Sequence, residues 1–316
     1  MSRAIVLGVD VGGTNVKAAL VAKDGRVVAS VSYSTEAEAG PEAFAKTLHH
    51  RLENLLKEAG LHKADVASVG IGLPAFLDVP KGIIEQAVNL HWTDVPIVDL
   101  VTAELDLPVM IDNDANLAAL GEVWKGAGKN AKSALCVTLG TGVGGGIVLD
   151  GRVYRGVTTM AGEIGHISIK PDGGLCNCGH YGCLETLASA TALVRDGVRA
   201  GLQSPRGHDE PLSAEDVFQL AESGDQAAQT VLSTMIHWLA VGLSTVANTL
   251  NPDTIVVSGG LVNAGDALLG PLRVEFSRTA LHRVANGCKI VAAELGSSAG
   301  MLGAARLAWQ FADSEA

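Results

Sequence analysis

The sequence has few basic residues, and this shortage narrows the classes of protein to which it can belong. Lys and Arg together number 23, Asp and Glu number 34, and the formal net charge is −11. A protein whose main task is to hold nucleic acid phosphates carries an excess of basic residues, so we expect no nucleic acid partner. An anionic nucleotide remains compatible with this charge, because glycine turns and helix N-termini bind phosphate locally.

The sequence also lacks long apolar runs. No uninterrupted apolar run approaches the roughly 18 residues that a membrane helix needs, and a strand-like run begins at Ile5, which leaves no room for a signal peptide. We therefore expect a cytoplasmic protein without a membrane partner. There is no low-complexity segment or long Pro- or Ser-rich linker, and 316 residues suffice for two domains of ordinary size.

Cysteine is scarce, and its few occurrences are unevenly placed. Three of the five cysteines lie within eight residues of one another, and in a cytoplasmic chain such a cluster predicts a metal site rather than disulfides. His166, Cys176, Cys178 and Cys183 make a Cys₃His set, which fills all four positions of a structural Zn²⁺ site. A closed site of this kind would not activate water. His180 is an alternative ligand that we expect to be exposed.

What the sequence does contain is a repeated order of strands and glycine turns. A strand at Ile5–Val9 leads into the turn at Gly12 and Gly13, a second strand and an Asp-Gly turn. The same order returns after Ala134–Leu139, with a glycine turn over Gly140–Gly146 and another Asp-Gly turn. This repeat predicts two similar α/β halves; chance similarity between two hairpins is the alternative.

We predict two α/β domains from this organisation. The small domain covers residues 1–115 and is completed by a C-terminal helix over residues 300–316. The large domain covers residues 116–299 and contains the metal-binding loop.

The two glycine turns are candidates for binding phosphate. The second turn matches G-x-G-x-x-G after a strand, but another strand follows it instead of a helix, which argues against a dinucleotide fold. Its closely spaced N–H groups can still cradle a phosphate, and a merely tight hairpin is the alternative. No Walker A sequence occurs in the chain, so these turns must hold any ATP. The predicted binding residues here are Thr141, Gly142 and Gly144.

The first glycine turn combines a carboxylate, a hydroxyl and an ammonium group. Phosphoryl transfer needs such groups, because a carboxylate can hold Mg²⁺ and donors can stabilise oxygens that accumulate charge. We therefore predict that this turn binds ATP with Mg²⁺, through Asp10, Gly12, Gly13, Thr14, Asn15 and Lys17.

A run of acids and amides lies between a predicted strand and a predicted helix. Asp112, Asn113, Asp114 and Asn116 could each cap the helix, but four polar residues cannot all cap one helix. One or more of them is therefore expected to face a site. A carboxylate at a strand end suits a general base that accepts a proton from a sugar hydroxyl.

Together these residues resemble the ROK family of bacterial sugar kinases and repressors, most closely its ATP-dependent glucokinases. The resemblance covers essentially the whole chain, and its metal signature is highly specific. The glycine motifs are shared across the wider actin-like ATPase class. The matching segments are Asp10–Thr14, Asn113–Asn116, Leu139–Gly146, Glu163–His166, Cys176–Glu185 and Val257–Gly260.

The resemblance implies a fold of two actin-like (ribonuclease H-like) α/β domains, with the active site in the cleft between them. It implies ATP-dependent phosphorylation of the 6-hydroxyl of glucose to glucose 6-phosphate, with ATP, Mg²⁺ and a structural Zn²⁺. It further implies that glucose or a related hexose is the acceptor and that the protein forms a homodimer.

The resemblance also implies a role for individual residues. Asp114 would take the proton from the sugar's 6-hydroxyl, and Asp10 would help to position Mg²⁺. His166 would bind zinc through one ring nitrogen and face the sugar with its other edge. Gly259 and Gly260 would lie on the adenosine side. The residues that would grip the other sugar hydroxyls are Asn89, Asn113, Glu163, His166 and Glu185.

Two alternative functions remain at this point. Ala75 stands where the family usually has a second Gly, so the acceptor could be fructose, mannose or an N-acetylated amino sugar. A sugar-responsive transcriptional repressor of the same family would carry a helix-turn-helix ahead of the first strand. Only four residues precede Ile5 and the net charge is −11, so we expect no DNA-binding element.

Overall fold

The computed structural model describes residues 4–207 and 209–315. The strands in these residues are β1 (Ile5–Val11), β2 (Asn15–Ala22), β3 (Val27–Ser34), β4 (Val66–Leu73), β5 (Phe76–Asp78), β6 (Ile83–Ala87), β7 (Trp92–Val95), β8 (Val109–Asn113), β9 (Ser133–Leu139), β10 (Val143–Leu149), β11 (Arg152–Val153), β12 (Thr254–Ser258) and β13 (Lys289–Ala292). The α-helices are α1 (Pro41–Ala59), α2 (Ile97–Leu105), α3 (Asp114–Lys125), α4 (Glu185–Ala188), α5 (Ala190–Arg199), α6 (Ala214–Glu222), α7 (Gln226–Leu250), α8 (Asp266–Thr279), α9 (His282–Gly287) and α10 (Ala299–Ser314).

Contacts within the chain divide it into two units. Unit 1 comprises residues 1–130, 151–161 and 295–316, and unit 2 comprises residues 131–150 and 162–294. The chain therefore passes from one unit to the other four times.

Unit 1 is built on a sheet with strand order β3-β2-β1-β4-β8. β1 pairs antiparallel with β2 and parallel with β4, which in turn pairs parallel with β8. Because side chains alternate along a strand, Leu7 and Val9 pack into the core that contains α1, whereas Val6 packs with α10. Gly8 allows α10 to lie close, since a β-carbon there would be 2.4 Å from the Met301 carbonyl oxygen.

The sheet of unit 2 has the same order and direction of strands as part of the sheet of unit 1. Its strands lie in the order β10-β9-β12-β13, with β9 and β10 antiparallel and β12 parallel to both β9 and β13. The same antiparallel hairpin followed by parallel strands occurs in β2-β1-β4-β8 of unit 1. The prediction of two similar α/β halves is therefore confirmed by the strand order.

The predicted domain boundary at residue 115 differs from the observed division. α3 belongs to unit 1, because glycines allow its backbone to pack directly on α10: a β-carbon on Gly303 would lie 1.7 Å from the Leu117 carbonyl oxygen. Residues 151–161 also belong to unit 1, although the prediction assigned them to the large domain.

The second glycine turn is shorter than predicted. The turn covers Gly140–Gly142, and the next three glycines lie inside β10. Gly145 is required there because a β-carbon would be 2.6 Å from the Gly162 carbonyl oxygen. These strand glycines therefore allow a second backbone segment to pack against β10.

α7 is long and apolar enough to span a membrane by length and composition alone. Half of its most apolar window is buried, and Leu239, Leu243 and Ala247 belong to the core of unit 2. A core helix of a globular unit passes the same test, so α7 is weak evidence for a membrane span.

Candidate active site

The first glycine turn connects β1 and β2 as an exposed loop of fixed shape. The Gly12 N–H donates to the Asn15 carbonyl oxygen (2.9 Å), and the Thr35 hydroxyl donates to the Gly12 carbonyl oxygen (2.7 Å). Gly13, Thr14 and Asn15 are exposed at the tip of the turn. The turn therefore presents backbone and hydroxyl groups to the outside, as a phosphate-binding loop must.

Asp10 precedes this turn and faces the start of α10. A β-carbon on Gly300 would lie 2.7 Å from both carboxylate oxygens of Asp10, so glycine is needed for this contact. Burial raises the pKa of Asp10, and the nearby Lys17 opposes this effect. Lys17 lies opposite Asp10 in the β1–β2 pair, and its Nζ donates to the Ser297 carbonyl oxygen (2.8 Å).

The acid and amide run forms the corner between β8 and α3. Asn113 caps α3, because its Oδ1 accepts from the N–H groups of Ala115 (2.9 Å) and Asn116 (3.4 Å). Asp112 is buried and accepts from Asn116 Nδ2 (3.0 Å), so these two residues have structural roles. Asp114 is half-buried at the first position of α3, and its Oδ1 accepts from the Ala115 N–H (2.9 Å).

Asn89 lies beside the first glycine turn. It is exposed in the single 3₁₀ turn Val88–Leu90, and its Cβ is 3.4 Å from where a β-carbon of Gly13 would be. Its neighbours Leu90 and Trp92 are buried and hold this turn in the core of unit 1. Asn89 is therefore exposed next to Gly13 of the first glycine turn.

The second glycine turn is joined to Glu185, the first residue of α4. The Val143 N–H donates to Glu185 Oε2 (3.1 Å), and a β-carbon on Gly142 would lie 2.0 Å from the same oxygen. The other oxygen, Oε1, is 3.7 Å from Cys176 Sγ. Glu185 thus connects the glycine turn to the cysteine cluster. Thr141 is exposed at the tip, whereas Gly144 lies in β10.

Glu163 and His166 flank a 3₁₀ turn that packs on β10. Gly165 allows this packing, because a β-carbon there would be 2.0 Å from the Val143 carbonyl oxygen. Both side chains are exposed, with His166 Nε2 4.0 Å from Glu163 Oε2. The other ring nitrogen, Nδ1, is 3.6 Å from Cys176 Sγ. The two edges of the imidazole therefore face different partners.

The four predicted metal ligands are close together in unit 2. One ligand atom each from His166, Cys176, Cys178 and Cys183 lies within 4.8 Å of all the others, and the Sγ atoms of Cys178 and Cys183 are 3.6 Å apart. Tetrahedral zinc with Zn–S bonds of about 2.3 Å requires sulfur atoms about 3.8 Å apart. The cluster therefore has the composition and spacing of a closed zinc site.

The surroundings of the three thiols differ. Hydrogen bonds to the backbone and ring of His180 lower the pKa of Cys178 to about 6, whereas burial raises the pKa of Cys183 to about 12 and also raises that of Cys176. His180 is exposed, as predicted, and its Nδ1 is 3.6 Å from Cys178 Sγ.

A pocket opens beside Gly260 in unit 2. It has a volume of about 780 Å³ and lies between the 3₁₀ turn Gly260–Ala264 and α6, with Ser213, Phe218 and Asn263 among its lining residues. Gly259 has a positive φ of 88°, and a β-carbon there would be 2.3 Å from the Leu139 carbonyl oxygen. Glycine at 259 therefore allows the end of β12 to pack against the end of β9, immediately before the pocket-lining residue Gly260.

The sequence analysis missed Arg155, whose guanidinium binds the buried Asp112 carboxylate at the β8–α3 corner. The two residues are 43 positions apart, and no local pattern relates them. Asp112 itself could be found from the polar run, but its partner could not.

Comparisons with known proteins agree along nearly the whole chain. The sequence pattern of the ROK family matches residues 6–310. The glucokinase of Halalkalibacterium halodurans is 43% identical over 311 residues, which cover 96% of this chain and 94% of that protein.

Solved structures give the same result. The ROK hexokinase from Thermus thermophilus has a TM-score of 0.84 at 32% identity, over 98% of this chain and 99% of that chain. A ROK family glucokinase from Streptomyces griseus, in complex with glucose and AMPPNP, has a TM-score of 0.72 at 33% identity, over 97% and 99%. The two α/β units accordingly have the actin-like, ribonuclease H-like fold.

Proposed function

This chain belongs to the ROK family, and we propose that it transfers the γ-phosphoryl group of ATP to the 6-hydroxyl of glucose, forming glucose 6-phosphate. The observation that carries the proposal is the 43% identity to a glucokinase over 96% of the chain. The β8–α3 corner supplies the chemistry, with a half-buried carboxylate at a helix start.

Asp114 is the proposed general base. Asp112 is buried and hydrogen-bonded to Asn116, and Asn113 caps α3. Asp114 is half-buried at the first position of α3. Its carboxylate would accept the proton of the 6-hydroxyl as that oxygen attacks the γ-phosphorus. A base within hydrogen-bond reach of the attacking oxygen typically accelerates such a step by about 10²- to 10⁴-fold.

The other sugar hydroxyls are proposed to bind five polar side chains, those of Asn89, Asn113, Glu163, His166 and Glu185. All five offer amide, carboxylate or imidazole groups, which bind hydroxyls as donors or acceptors. The exposure of Asn89, Glu163 and His166 supports this proposal.

The glycine turns are proposed to bind the phosphates of ATP. The exposed tips at Gly13–Asn15 and Thr141 would donate to phosphate oxygens, and the pocket beside Gly260 has room for adenosine. Asp10 would hold Mg²⁺, with Lys17 nearby. Bound Mg²⁺ would neutralise charge on the phosphate oxygens.

The Cys₃His cluster is proposed to hold a structural Zn²⁺. His166, Cys176, Cys178 and Cys183 fit the ion in number, chemistry and spacing. Zinc would fix the loop that carries Glu163 and Glu185 and would orient the imidazole of His166. We further propose a cytoplasmic homodimer, since all five cysteines are free thiols in the fold and a homodimer is the family's usual assembly.

The proposal is tested by measuring ADP release with glucose, fructose, mannose and N-acetylated amino sugars at fixed ATP. We expect the highest specificity constant for glucose, and we expect Asp114→Asn to lower kcat by roughly 10²- to 10⁴-fold. Asp106→Asn, at a carboxylate whose side chain is 92% exposed, is the matched control and should leave kcat unchanged. Release of no ADP with any hexose would refute the kinase, and full activity of Asp114→Asn would refute the base.

A further inference from the structure

Residues 151–161 form a segment of unit 1 that is flanked on both sides by residues of unit 2. We call it the connecting segment. Its contacts within unit 1 are specific: Gln310 Nε2 donates to the Gly151 carbonyl oxygen (2.6 Å), and the Thr159 hydroxyl donates to the Leu77 carbonyl oxygen (2.8 Å). The third contact is made by Arg155, in the middle of the segment.

Arg155 forms a buried ion pair with Asp112. Its Nε and Nη2 lie 2.6 and 2.5 Å from Asp112 Oδ2. The Asp112 side chain is 1% exposed and that of Arg155 is 28% exposed. Burial of a carboxylate is costly unless the carboxylate is paired with a cation and hydrogen-bonded, and Arg155 supplies the cation.

The second oxygen of Asp112 organises the corner that leads to Asp114. Oδ1 accepts from the Asn113 N–H (2.8 Å) and from Asn116 Nδ2 (3.0 Å). Its two partners lie on either side of Asp114 in the sequence. With Oδ2 held by the guanidinium and Oδ1 bound to both flanking residues, the Asp112 carboxylate fixes the backbone from which the Asp114 side chain starts.

We propose that Arg155 is a positioning residue for Asp114. Its guanidinium holds Asp112, and Asp112 holds the β8–α3 corner in the geometry that presents the base. The inference rests on the proposed kinase activity, in which Asp114 accepts the proton of the acceptor hydroxyl. Arg155 itself is not a phosphate or sugar ligand in this proposal; its Nε and Nη2 are engaged by Asp112.

This role predicts an effect on kcat rather than on nucleotide binding. A catalytic group displaced by about 1 Å can lose roughly 10²-fold in rate, and the hydrogen bonds that Asp112 forms in the described residues lead to Arg155, Asn113 and Asn116 rather than to the first glycine turn. Arg155→Lys keeps a cation but loses the planar two-nitrogen contact, so it should fold. We expect it to lower kcat by about 10-fold or more with the KM for ATP within about 3-fold of wild type.

A double variant separates positioning from charge. Arg155→Gln leaves the Asp112 carboxylate buried without its cation, and we expect a larger loss in kcat than for Arg155→Lys. Combining Arg155→Gln with Asp112→Asn removes both charges and lets the two amides pair. We expect the double variant to recover part of the kcat lost in Arg155→Gln. The matched control is Arg152→Gln, an exposed arginine of the same segment, which should behave as wild type.

The experiment measures kcat, both KM values and the melting temperature for all five proteins, together with amide hydrogen exchange of residues 112–116. Faster exchange at this corner in Arg155→Lys and Arg155→Gln, with lower kcat and no change in Arg152→Gln, supports the proposal. Wild-type kcat and exchange in Arg155→Lys, with only a lower melting temperature, would overturn it. If wild-type protein phosphorylates no hexose, the proposed function fails, while exchange at the corner still tests the role of Arg155.

Discussion

At two positions a glycine leaves space for a side chain that we propose to be functional, so substitution of that glycine can alter the proposed site while the fold is kept. The Gly300 Cα faces the Asp10 carboxylate, and the Gly142 Cα faces the Glu185 carboxylate. In both places the missing β-carbon provides the space for a charged group. A β-carbon at Gly142 would meet the end of the flexible Glu185 side chain. The substitution would therefore move that side chain rather than the backbone.

Gly142→Ala is therefore expected to weaken glucose binding with little loss of stability. The new methyl group would displace Glu185 Oε2 from the Val143 N–H, because the two cannot lie 2.0 Å apart. Gly140→Ala in the same turn is the matched control, since a β-carbon there meets no atom within 4 Å. Calorimetric titration with glucose in the absence of nucleotide measures the difference. Equal glucose affinity in the two variants would contradict the role of Glu185 in sugar binding.

Asp10 should make the fold less stable at neutral pH. Burial raises its folded-state pKa above the ordinary 3.8, so its stabilising contribution is complete below pH 3.8 and is lost as the pH rises through the raised value. Asp10→Asn should therefore be more stable than wild type at pH 7, with the gain disappearing as the pH falls to 3.8. Urea unfolding without Mg²⁺ or nucleotide, at both pH values, measures this.

Asp216 supplies a control of opposite sign. Its hydrogen bond from Arg206 lowers the pKa of Asp216 to about 2, so its contribution is present above pH 3.8 and is lost as the pH falls through about 2. Asp216→Asn should be less stable than wild type at pH 7. If Asp10→Asn is instead less stable than wild type at pH 7, as Asp216→Asn is expected to be, the burial argument for Asp10 is wrong.

Sequence could identify residues whose partners are near in the chain. The Cys₃His set was predictable because its chemistry and spacing are local, and the structure brings the four ligands within 4.8 Å. Capping was the alternative role for any one residue of the acid and amide run, and Asn113 is the residue that caps α3. The pair of Arg155 and Asp112 was not predictable, because tertiary packing alone brings the two together across 43 positions.

At the scale of elements, the contact between α3 and α10 holds the proposed base in place. Backbones approach at Gly121 and Gly303: β-carbons would lie 2.2 Å from the Ala299 carbonyl oxygen and 1.7 Å from the Leu117 carbonyl oxygen. Because these neighbours are backbone atoms, the helices would have to separate to admit a methyl group. The start of α10 also lies beside Asp10, so separation of the two helices would also disturb the surroundings of Asp10.

Gly303→Ala is expected to lower the free energy of unfolding by about 1–3 kcal/mol or more, as overpacking in a close-packed interior does. Gly270→Ala in α8 is the matched control, because its β-carbon would meet no atom within 4 Å. We expect that variant to change stability by less than about 1 kcal/mol. Chemical denaturation of both proteins measures the difference, and equal stability would show that α3 and α10 can adjust.

Periodicity predicted the long elements and missed the short ones. α1 carries its own sequence signals, because it begins at Pro41 and ends before Gly60, whose φ of 65° suits glycine. The small sheet of β5, β6 and β7 was not predicted. Each of its strands has five residues or fewer, so alternation has too few positions to be recognised.

At the scale of the whole molecule, composition could not predict which segments of the chain belong to which unit. The chain passes between the two units four times, and no Pro- or Ser-rich linker marks these positions. The assignment of α3 to unit 1 depends on its packing against α10, which is nearly 200 positions away along the sequence. The duplicated strand order was predictable, because each hairpin carries its own turn signals.

Metal removal should weaken the binding of glucose much more than the binding of nucleotide. His166 belongs to the ligand cluster, and Glu185 Oε1 lies 3.7 Å from Cys176 Sγ, whereas the pocket beside Gly260 is lined by none of the four ligands. We expect elemental analysis to find about one zinc per chain. After chelation, calorimetry should show a loss of glucose affinity with ADP affinity nearly kept.

Cysteine variants separate loss of the ion from side effects of the chelator. Cys178→Ser removes one ligand and should reproduce the chelated state, because zinc then keeps only three protein ligands. Cys288→Ser changes a buried thiol outside the cluster and should retain both zinc and glucose affinity. Chelated protein that is free of zinc yet binds glucose as tightly as the untreated protein would show that the ion does not orient His166 and Glu185. The loop that carries Glu163 and Glu185 would then keep its shape without the ion, through its packing on β10 and its own backbone hydrogen bonds.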